Sequence, residues 1–316
     1  MRKIFIVLSP RSWPYAEKCI ESLFRNALEH LDVKLITDSP DDKQIIISTV
    51  ANIENQQSHV WQVIDQDEAG GRAEDQFKGF RHLKAFRHGH PCWRKLTDPL
   101  LFTNDGEEMV ILDPDLYFPN KFTFEPTPEK TLLLMWQPPN CLLPSECVHA
   151  AINAPVKLAH HVDIGVAQLK KPIDLEWFDW LIGKLGGTDL PRIMHIEAIV
   201  LSALAMKMGG GYLNPQSWLC WHRSHWKRVL LKSGVSGIRV LQMEDLGSVK
   251  CFHACGMSKW WVAEASKTGL LDSNNTLDKP STSMPFVELT PQRYRLEEQV
   301  KGILRILGYY SLINPD

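Results

Sequence analysis

The sequence lacks any apolar run of the roughly 18 residues that a membrane-spanning helix needs. Its first apolar run, residues 4–8, is too short for a signal peptide and has no small-residue cleavage site after it. We therefore expect no transmembrane segment and interpret 4–8 as a buried strand. The seven cysteines, an odd number without regular spacing, indicate reduced thiols and predict a cytoplasmic protein.

The sequence also lacks a strong charge of either sign and the familiar nucleotide-binding loops. Its 35 basic and 37 acidic residues leave a net charge of −2, so composition predicts no nucleic-acid partner. No Gly-x-Gly-x-x-Gly follows the first strand and no Walker loop occurs, which disfavours dinucleotide and P-loop sites. Tryptophan is abundant, with 11 residues, but composition does not separate core positions from ligand platforms.

The first half of the chain has the pattern of an α/β fold. Strand 4–8, a helix with apolar positions between Ile20 and Leu28, and strand 33–37 form a βαβ unit. The isoleucines at 45–47 are compatible with another strand, and the polar segment 65–72 predicts a loop. Alternating strands and helices of this kind predict a parallel sheet covered on both faces.

Two carboxylates follow a buried strand at Asp113-Pro114-Asp115. The apolar run 109–112 predicts the strand, and Pro114 should end it because proline has no backbone donor. Both acids would then lie at the carboxyl end of the strand, where open α/β sheets bind ligands. A divalent cation would relieve their repulsion, whereas the alternative reading of the motif alone is a solvated acidic turn.

Three further segments complete the pattern. The basic pair Arg94-Lys95 suits a phosphate-bearing ligand or, alternatively, a solvated basic face. Strand 162–169 contains Gly165, and glycine in a strand often marks a close approach to the backbone. We predict one domain over 1–265, a polar linker over 266–289, and an amphipathic helix with a tail over 290–316.

These motifs together resemble the GT-A glycosyltransferases, which use nucleotide-sugar donors. Asp113-Pro114-Asp115 is similar to their Asp-x-Asp motif, and Asp163-Ile164-Gly165-Val166 resembles their Asn-x-Gly-Val strand. The string His253-Ala-Cys-Gly-Met-Ser-Lys-Trp-Trp261 resembles the His-x-x-Gly-x-x-Lys-Pro-Trp ending of the retaining branch that contains glycogenin and galactosyltransferases. The resemblance covers residues 3–262 and implies a Rossmann-like, mostly parallel central sheet flanked by helices, with a C-terminal helical extension.

The resemblance also implies roles for individual residues. Asp113, Asp115 and His253 would bind Mn²⁺ or Mg²⁺, with Asp113 contacting the cation or the donor ribose. Lys259 and the backbone of Gly256 would contact the β-phosphate of the donor. Other predicted donor contacts are Ser9, Arg11, Arg94, Lys95 and Gly165, and the predicted catalytic residues are Asp163 and Glu197.

The chain departs from the family pattern at several points, and other readings stay open. Trp260 replaces the usual proline, Asp163 replaces asparagine, and Ser9-Pro10-Arg11 stands where Asp-x-x-Tyr is usual. A sugar-1-phosphate nucleotidyltransferase would share the acids, but the first loop lacks the glycine-rich, basic signature of that class. A non-catalytic carbohydrate- or partner-binding protein with the same fold is another alternative. Cys251, His253 and Cys255 could alternatively bind zinc.

The sequence therefore predicts a cytoplasmic, metal-dependent glycosyltransferase in which retention of configuration is favoured. Its donor would be a nucleoside-diphosphate sugar, with a UDP-sugar favoured. The acceptor would be a glycan, a lipid-linked molecule, a protein or a small molecule. A homodimer could form through the C-terminal helix.

Overall fold

Strands and helices alternate through most of the chain in the computed structural model, which describes residues 1–55, 58–128, 131–138, 140–170, 173–221 and 225–309. The strands are β1 (Arg2–Val7), β2 (Leu31–Ile36), β3 (Val60–Ile64), β4 (Glu108–Leu112), β5 (Leu116–Tyr117), β6 (Lys121–Phe122), β7 (Leu132–Trp136), β8 (Val162–Lys170), β9 (Gly210–Tyr212), β10 (Trp218–Trp221), β11 (Cys251–Ala254), β12 (Thr276–Leu277) and β13 (Met284–Pro285). The helices are α1 (Trp13–Asn26), α2 (Pro40–Val50), α3 (Gln66–Gln76), α4 (Arg81–Arg87), α5 (Arg94–Leu101), α6 (Ser145–Asn153), α7 (Leu175–Leu185), α8 (Ile196–Met208), α9 (His225–Lys232), α10 (Gly237–Leu241), α11 (Ser258–Ser266) and α12 (Pro291–Ile306).

One large sheet has the strand order β3-β2-β1-β4-β8-β7-β10-β11-β5, with β9 also paired to β7 and β13 paired to β9. The pairings among β1 to β4 are parallel, and so are those that join β7, β10 and β11. Strand β8 runs antiparallel between β4 and β7 and so connects the two parallel halves. The predicted mostly parallel sheet flanked by helices is confirmed.

Helices cover both faces of the sheet, which explains why its central strands are continuously apolar. In β1, Ile4 and Ile6 pack into a core shared with α1 and α2, whereas Phe5 points into a core shared with α3 to α8. Strand β4 alternates in the same way, since Met109 and Ile111 share the core of Phe5. The pleat therefore sends successive apolar side chains to opposite layers.

Two local predictions are wrong because helix caps outweigh weak apolar patterns. Residues 45–47 lie in α2, where the Ser39 hydroxyl accepts a hydrogen bond from the Asp42 N–H (3.1 Å). The predicted loop 65–72 is mostly α3, which begins with a capping box. In that box, the Asp65 carboxylate accepts a hydrogen bond from the Glu68 N–H (2.9 Å), and the Glu68 side chain accepts one from the Asp65 N–H (3.3 Å).

The C-terminal helix α12 packs on the domain by a polar and aromatic side. Tyr294 is buried, and the Glu297 carboxylate accepts a hydrogen bond from the Asn140 side chain (3.0 Å). The large apolar side chains that remain exposed on this helix and just after it are Leu296, Val300, Ile303, Ile306 and Leu307. A homodimer through this surface stays a prediction, and residues 310–316 of the predicted tail lie outside the described residues.

The segment 266–289 contributes β12, which pairs with β6, and β13, which pairs with β9. The division into a domain, a linker and a terminal helix remains our proposal. No helix in the described parts of the chain is both long enough and apolar enough to cross a membrane.

Candidate active site

The two acids that follow β4 lie against the strand that carries His253. Strand β5 begins directly after Asp115 and pairs antiparallel with β11, which places Leu116 opposite His253. As a result, the Nε2 atom of His253 lies 3.2 Å from Asp115 Oδ1 and 3.9 Å from Asp113 Oδ2. Two carboxylate oxygens and one imidazole nitrogen that converge in this way can hold a divalent cation.

The glycine in β8 makes room for this imidazole. A Cβ atom at Gly165 would lie 2.5 Å from Nδ1 of His253, closer than real Cβ contacts. The Gly165 carbonyl also accepts a hydrogen bond from the Asp113 N–H (2.8 Å), so the residue that follows β4 is held against β8. The close approach predicted at Gly165 is thus made by His253, and donor binding by this glycine stays a prediction.

We expect Gly165→Ala to weaken cation-dependent nucleotide binding by about 10-fold or more, because the added methyl group displaces the imidazole. Isothermal titration of nucleotide in the presence of Mn²⁺ measures the change. Gly70→Ala is the matched control, since a Cβ atom at Gly70 in α3 meets nothing within 4 Å. Equal binding by the two variants would show that the position of His253 does not depend on this space.

Asp163 lies behind the imidazole rather than in the cleft. Both of its carboxylate oxygens are 2.9 Å from Nδ1 of His253, which leaves Nε2 facing Asp115. Burial alone would lower the pKa of His253, but the carboxylates of Asp163 and Asp115 outweigh it and hold that pKa well above its usual range. Asp163 therefore orients the imidazole, and its predicted direct part in catalysis stays a prediction.

Lys95 joins the acidic motif to α8. Its Nζ atom lies 2.7 Å from Asp113 Oδ1 and 2.9 Å from Glu197 Oε1, and its side chain is only 4% exposed. Burial alone would lower the pKa of Lys95, but the two carboxylates outweigh it and raise that pKa. The ammonium group is thus already paired within the protein, and its predicted contact with the diphosphate stays a prediction.

Glu197 has one carboxylate oxygen that no side chain satisfies. Its Oε2 atom is buried without a hydrogen-bond partner among the described residues. Burial raises the pKa of Glu197 to about 8, because the opposing effect of Lys95 is smaller. A carboxyl group that is largely protonated near neutral pH can donate a hydrogen bond to a ligand oxygen, and Glu197 lines the cleft described next.

A cleft of about 210 Å³ opens at this edge of the sheet. Its walls come from the end of β1 (7–9), the turn at 91–92, the acidic motif (113–115), and the side chains of Tyr15, Glu197 and Lys259. The Lys259 ammonium group lies 4.6 Å from the centre of the Tyr15 ring, a cation–π contact between two residues that line the cleft. Four of the predicted donor contacts line this cleft, namely Ser9, Lys95, Asp113 and Lys259.

Other predicted donor contacts lie elsewhere. Arg94 is buried, forms an ion pair with Asp38 and donates a hydrogen bond to the Thr37 carbonyl (2.9 Å). Arg11 is exposed and does not line the cleft. Gly256 has a φ of 63°, in the left-handed region, and forms the turn that leads into α11 and Lys259.

Sequence reasoning missed Asp38, Tyr15 and Cys220. Asp38 follows the carboxyl end of β2, which is parallel to β4, so the rule that located Asp113 also applies to it. Tyr15 lies in the first turn of α1, which begins at Trp13 shortly after the end of β1. Cys220 lies on β10, with its Sγ atom 3.1 Å from Asp163 Oδ2, and nothing in its local sequence indicated that contact.

Comparison with known proteins identifies the fold. No family model and no curated protein sequence matches the chain. Among solved structures, mouse xyloside xylosyltransferase 1 in its apo form superimposes with a TM-score of 0.51 and 10% identity, covering 81% of this chain and 98% of its own. The galactosyltransferase LgtC, in complex with donor and acceptor sugar analogs, superimposes with a TM-score of 0.50 and 13% identity, and the match covers 93% of this chain and 99% of LgtC. The chain therefore has the GT-A glycosyltransferase fold.

Proposed function

We propose that the protein is a metal-dependent glycosyltransferase that uses a nucleoside-diphosphate sugar as its donor. The observation that carries the proposal is the convergence of Asp113, Asp115 and His253 at one edge of a GT-A sheet. Lys259 and the unpartnered oxygen of Glu197 lie on the same cleft. This combination suits a ligand that carries both phosphates and hydroxyl groups.

The residues fit the cation that the fold family implies. The three ligand atoms lie within 4.8 Å of one another, and all three side chains are largely buried. Asp113, Asp115 and His253 would hold Mn²⁺ or Mg²⁺, and this ion would neutralise charge on the departing diphosphate. Asp163 would keep the imidazole oriented toward the site through its bond to Nδ1.

The remaining residues would bind and orient the donor. Lys259 would contact the β-phosphate, and the Ser9 end of β1 would contact the nucleoside portion. Glu197 would donate a hydrogen bond from its protonated carboxyl group to a sugar hydroxyl. In the transfer, the bond between the anomeric carbon and the diphosphate oxygen breaks, and the diphosphate leaves with the bonding electrons. An acceptor oxygen bonds to that carbon and gives its proton to the departing diphosphate or to solvent.

Within this proposal we favour a UDP-sugar as the donor and retention of configuration at the anomeric carbon. Both preferences follow from the resemblance of residues 253–261 to the sequence motif of the retaining GT-A branch. The proposed acceptor is a glycan, a lipid-linked molecule, a protein or a small molecule. A cytoplasmic location is also part of the proposal, on the grounds of the unpaired cysteines.

Thermal unfolding with UDP, GDP or CDP, with and without Mn²⁺, tests the function. We expect one nucleotide to stabilise the protein by about 2.7 kcal/mol at a concentration 100 times its Kd, and only when Mn²⁺ is present. Hydrolysis of a panel of nucleotide sugars, followed by analysis of the released anomer, then identifies the sugar and the stereochemistry. A protein that ignores every nucleotide and cation would be a binding module, and one that makes a nucleotide sugar from a triphosphate would be a nucleotidyltransferase.

A further inference from the structure

Four potential metal ligands form a second cluster behind the cleft. This thiol cluster consists of Asp163 on β8, Cys220 on β10, His253 on β11 and Cys255 just after β11. The two sulfur atoms are 3.7 Å apart, and the Cys255 sulfur lies 3.5 Å from Nδ1 of His253. Asp163 Oδ2 lies 3.1 Å from the Cys220 sulfur and 3.9 Å from the Cys255 sulfur.

The two separations measured from the Cys255 sulfur to the Cys220 sulfur and to His253 match the edges of a tetrahedral zinc site, whereas the Asp163 oxygen, 3.1 Å from one sulfur and 3.9 Å from the other, would shift by about 0.5 Å to reach the expected edge of about 3.6 Å. With zinc–sulfur bonds of about 2.3 Å and zinc–nitrogen bonds of about 2.0–2.1 Å, tetrahedral geometry gives edges of about 3.8 Å between sulfurs and about 3.6 Å between sulfur and nitrogen. The edges observed at Cys255 are 3.7 Å to the Cys220 sulfur and 3.5 Å to the His253 nitrogen. Two sulfurs, one imidazole and one carboxylate are also ligand types that zinc prefers.

The position of the cluster in the sheet explains why the ligand atoms are already close. Cys220 and His253 are direct neighbours in the parallel pairing of β10 with β11. Asp163, Cys220 and His253 are each less than 7% exposed, so little rearrangement or water entry is expected. Among the described residues, Cys251 is not a member of the cluster.

We propose that Asp163, Cys220, His253 and Cys255 bind a structural zinc ion. The two thiols and Nδ1 of His253 would each release a proton on binding, and Nδ1 and one oxygen of Asp163 would complete the tetrahedron in place of the hydrogen bond that now joins them. Nε2 of His253 still faces Asp115, so this zinc would fix the imidazole that also serves the proposed donor site. The zinc site does not depend on the proposed glycosyltransferase activity.

Zinc content tests the proposal directly. Metal-free, reduced full-length protein is incubated with one equivalent of ZnCl₂, desalted and measured by inductively coupled plasma mass spectrometry. We expect one zinc ion per chain in the wild type and a loss of affinity of more than roughly 100-fold in Cys220→Ser and Cys255→Ser, since even outer-shell partners are worth 10- to 100-fold. Cys251→Ser is the matched control on the same strand and should retain the ion.

Cobalt substitution keeps the test decisive if one variant fails to fold. Wild-type protein loaded with Co²⁺ should show strong near-ultraviolet sulfur-to-cobalt charge transfer, which the Cys255→Ser variant should reduce. Asp115→Ala should leave both the zinc content and this absorption unchanged, because Asp115 is outside the cluster. The proposal is overturned if the wild type binds no zinc. It is equally overturned if both cysteine variants retain the ion while Asp115→Ala loses it, because zinc would then occupy the donor site.

Discussion

Asp115→Asn is expected to lower sugar transfer by about 100- to 1,000-fold, the usual cost of losing one preorganised electrostatic contact. The amide keeps the size of the side chain but removes the charge that lies 3.2 Å from His253 Nε2. Burial alone would raise the pKa of Asp115, but His253 outweighs it and lowers that pKa, so the wild-type group is a carboxylate at neutral pH. Turnover of the nucleotide sugar identified by the donor panel measures the loss.

The same variant separates cation binding from folding. In thermal unfolding, Asp115→Asn should lose the stabilisation that Mn²⁺ and nucleotide together give to the wild type. Asp41→Asn is a matched control, because Asp41 is an exposed acid in the first turn of α2 and does not line the cleft. If Asp115→Asn kept full turnover and the full cation-dependent shift, the assignment of this ligand would be wrong.

Lys95→Met is expected to reduce the free energy of unfolding by about 3–5 kcal/mol at neutral pH, the usual cost of removing one partner from a buried ion pair. Methionine fills much of the space but leaves Asp113 and Glu197 without the ammonium group that lies 2.7 and 2.9 Å from them. Chemical denaturation followed by circular dichroism measures the change. A midpoint equal to that of the wild type would show that Asp113 and Glu197 do not need this lysine.

The destabilisation by Lys95→Met should depend on pH in a defined direction. Burial already raises the pKa of Glu197 to about 8, and loss of Lys95 would raise it further. Glu197 then keeps its proton to a higher pH in the folded variant than in the folded wild type, so the variant gains stability relative to the wild type as the pH falls toward about 8. The difference from the wild type should therefore be largest above pH 8, shrink as the pH falls to about 8, and stay constant below it, where Glu197 carries its proton in both folded proteins.

Lys250→Met provides the comparison for the lysine variant. Lys250 is equally buried and lies 2.9 Å from Glu125 Oε1, but it does not line the cleft. We expect a comparable loss of stability from this change, with nucleotide-dependent stabilisation preserved. If Lys95→Met and Lys250→Met both lost nucleotide binding, general destabilisation of the fold, rather than the position of Lys95 in the cleft, would explain the loss.

The features that could be predicted from the sequence are those that local chemistry determines. A run of four apolar residues followed by Asp113 and Pro114 fixes a strand and its end, whatever the rest of the chain does. The fold class follows from the order of such segments. The capping box at Asp65 and Glu68 was equally local, but the segment has too few apolar residues for periodicity to indicate a helix.

The features that could not be predicted depend on which strands become neighbours. Lys95 looks like a free cation in the sequence, and only the tertiary fold places it between Asp113, which follows β4, and Glu197 on α8. Gly165 was expected to admit a ligand, whereas the pairing of distant strands brings His253 onto it. Composition and spacing carry no information about these contacts, because each joins residues far apart in the chain.

The pairing of β5 with β11 also has a consequence for the newly made chain. Asp115 and His253 are 138 positions apart (253 minus 115). At roughly 5–20 residues per second, a ribosome needs roughly 7–28 s to extend the chain from the acids to the imidazole. During that time the acids have no imidazole and β5 has no antiparallel partner. Cation affinity should therefore appear late in synthesis, and a chain that stops before β11 should lack it even if β1 to β4 have already folded.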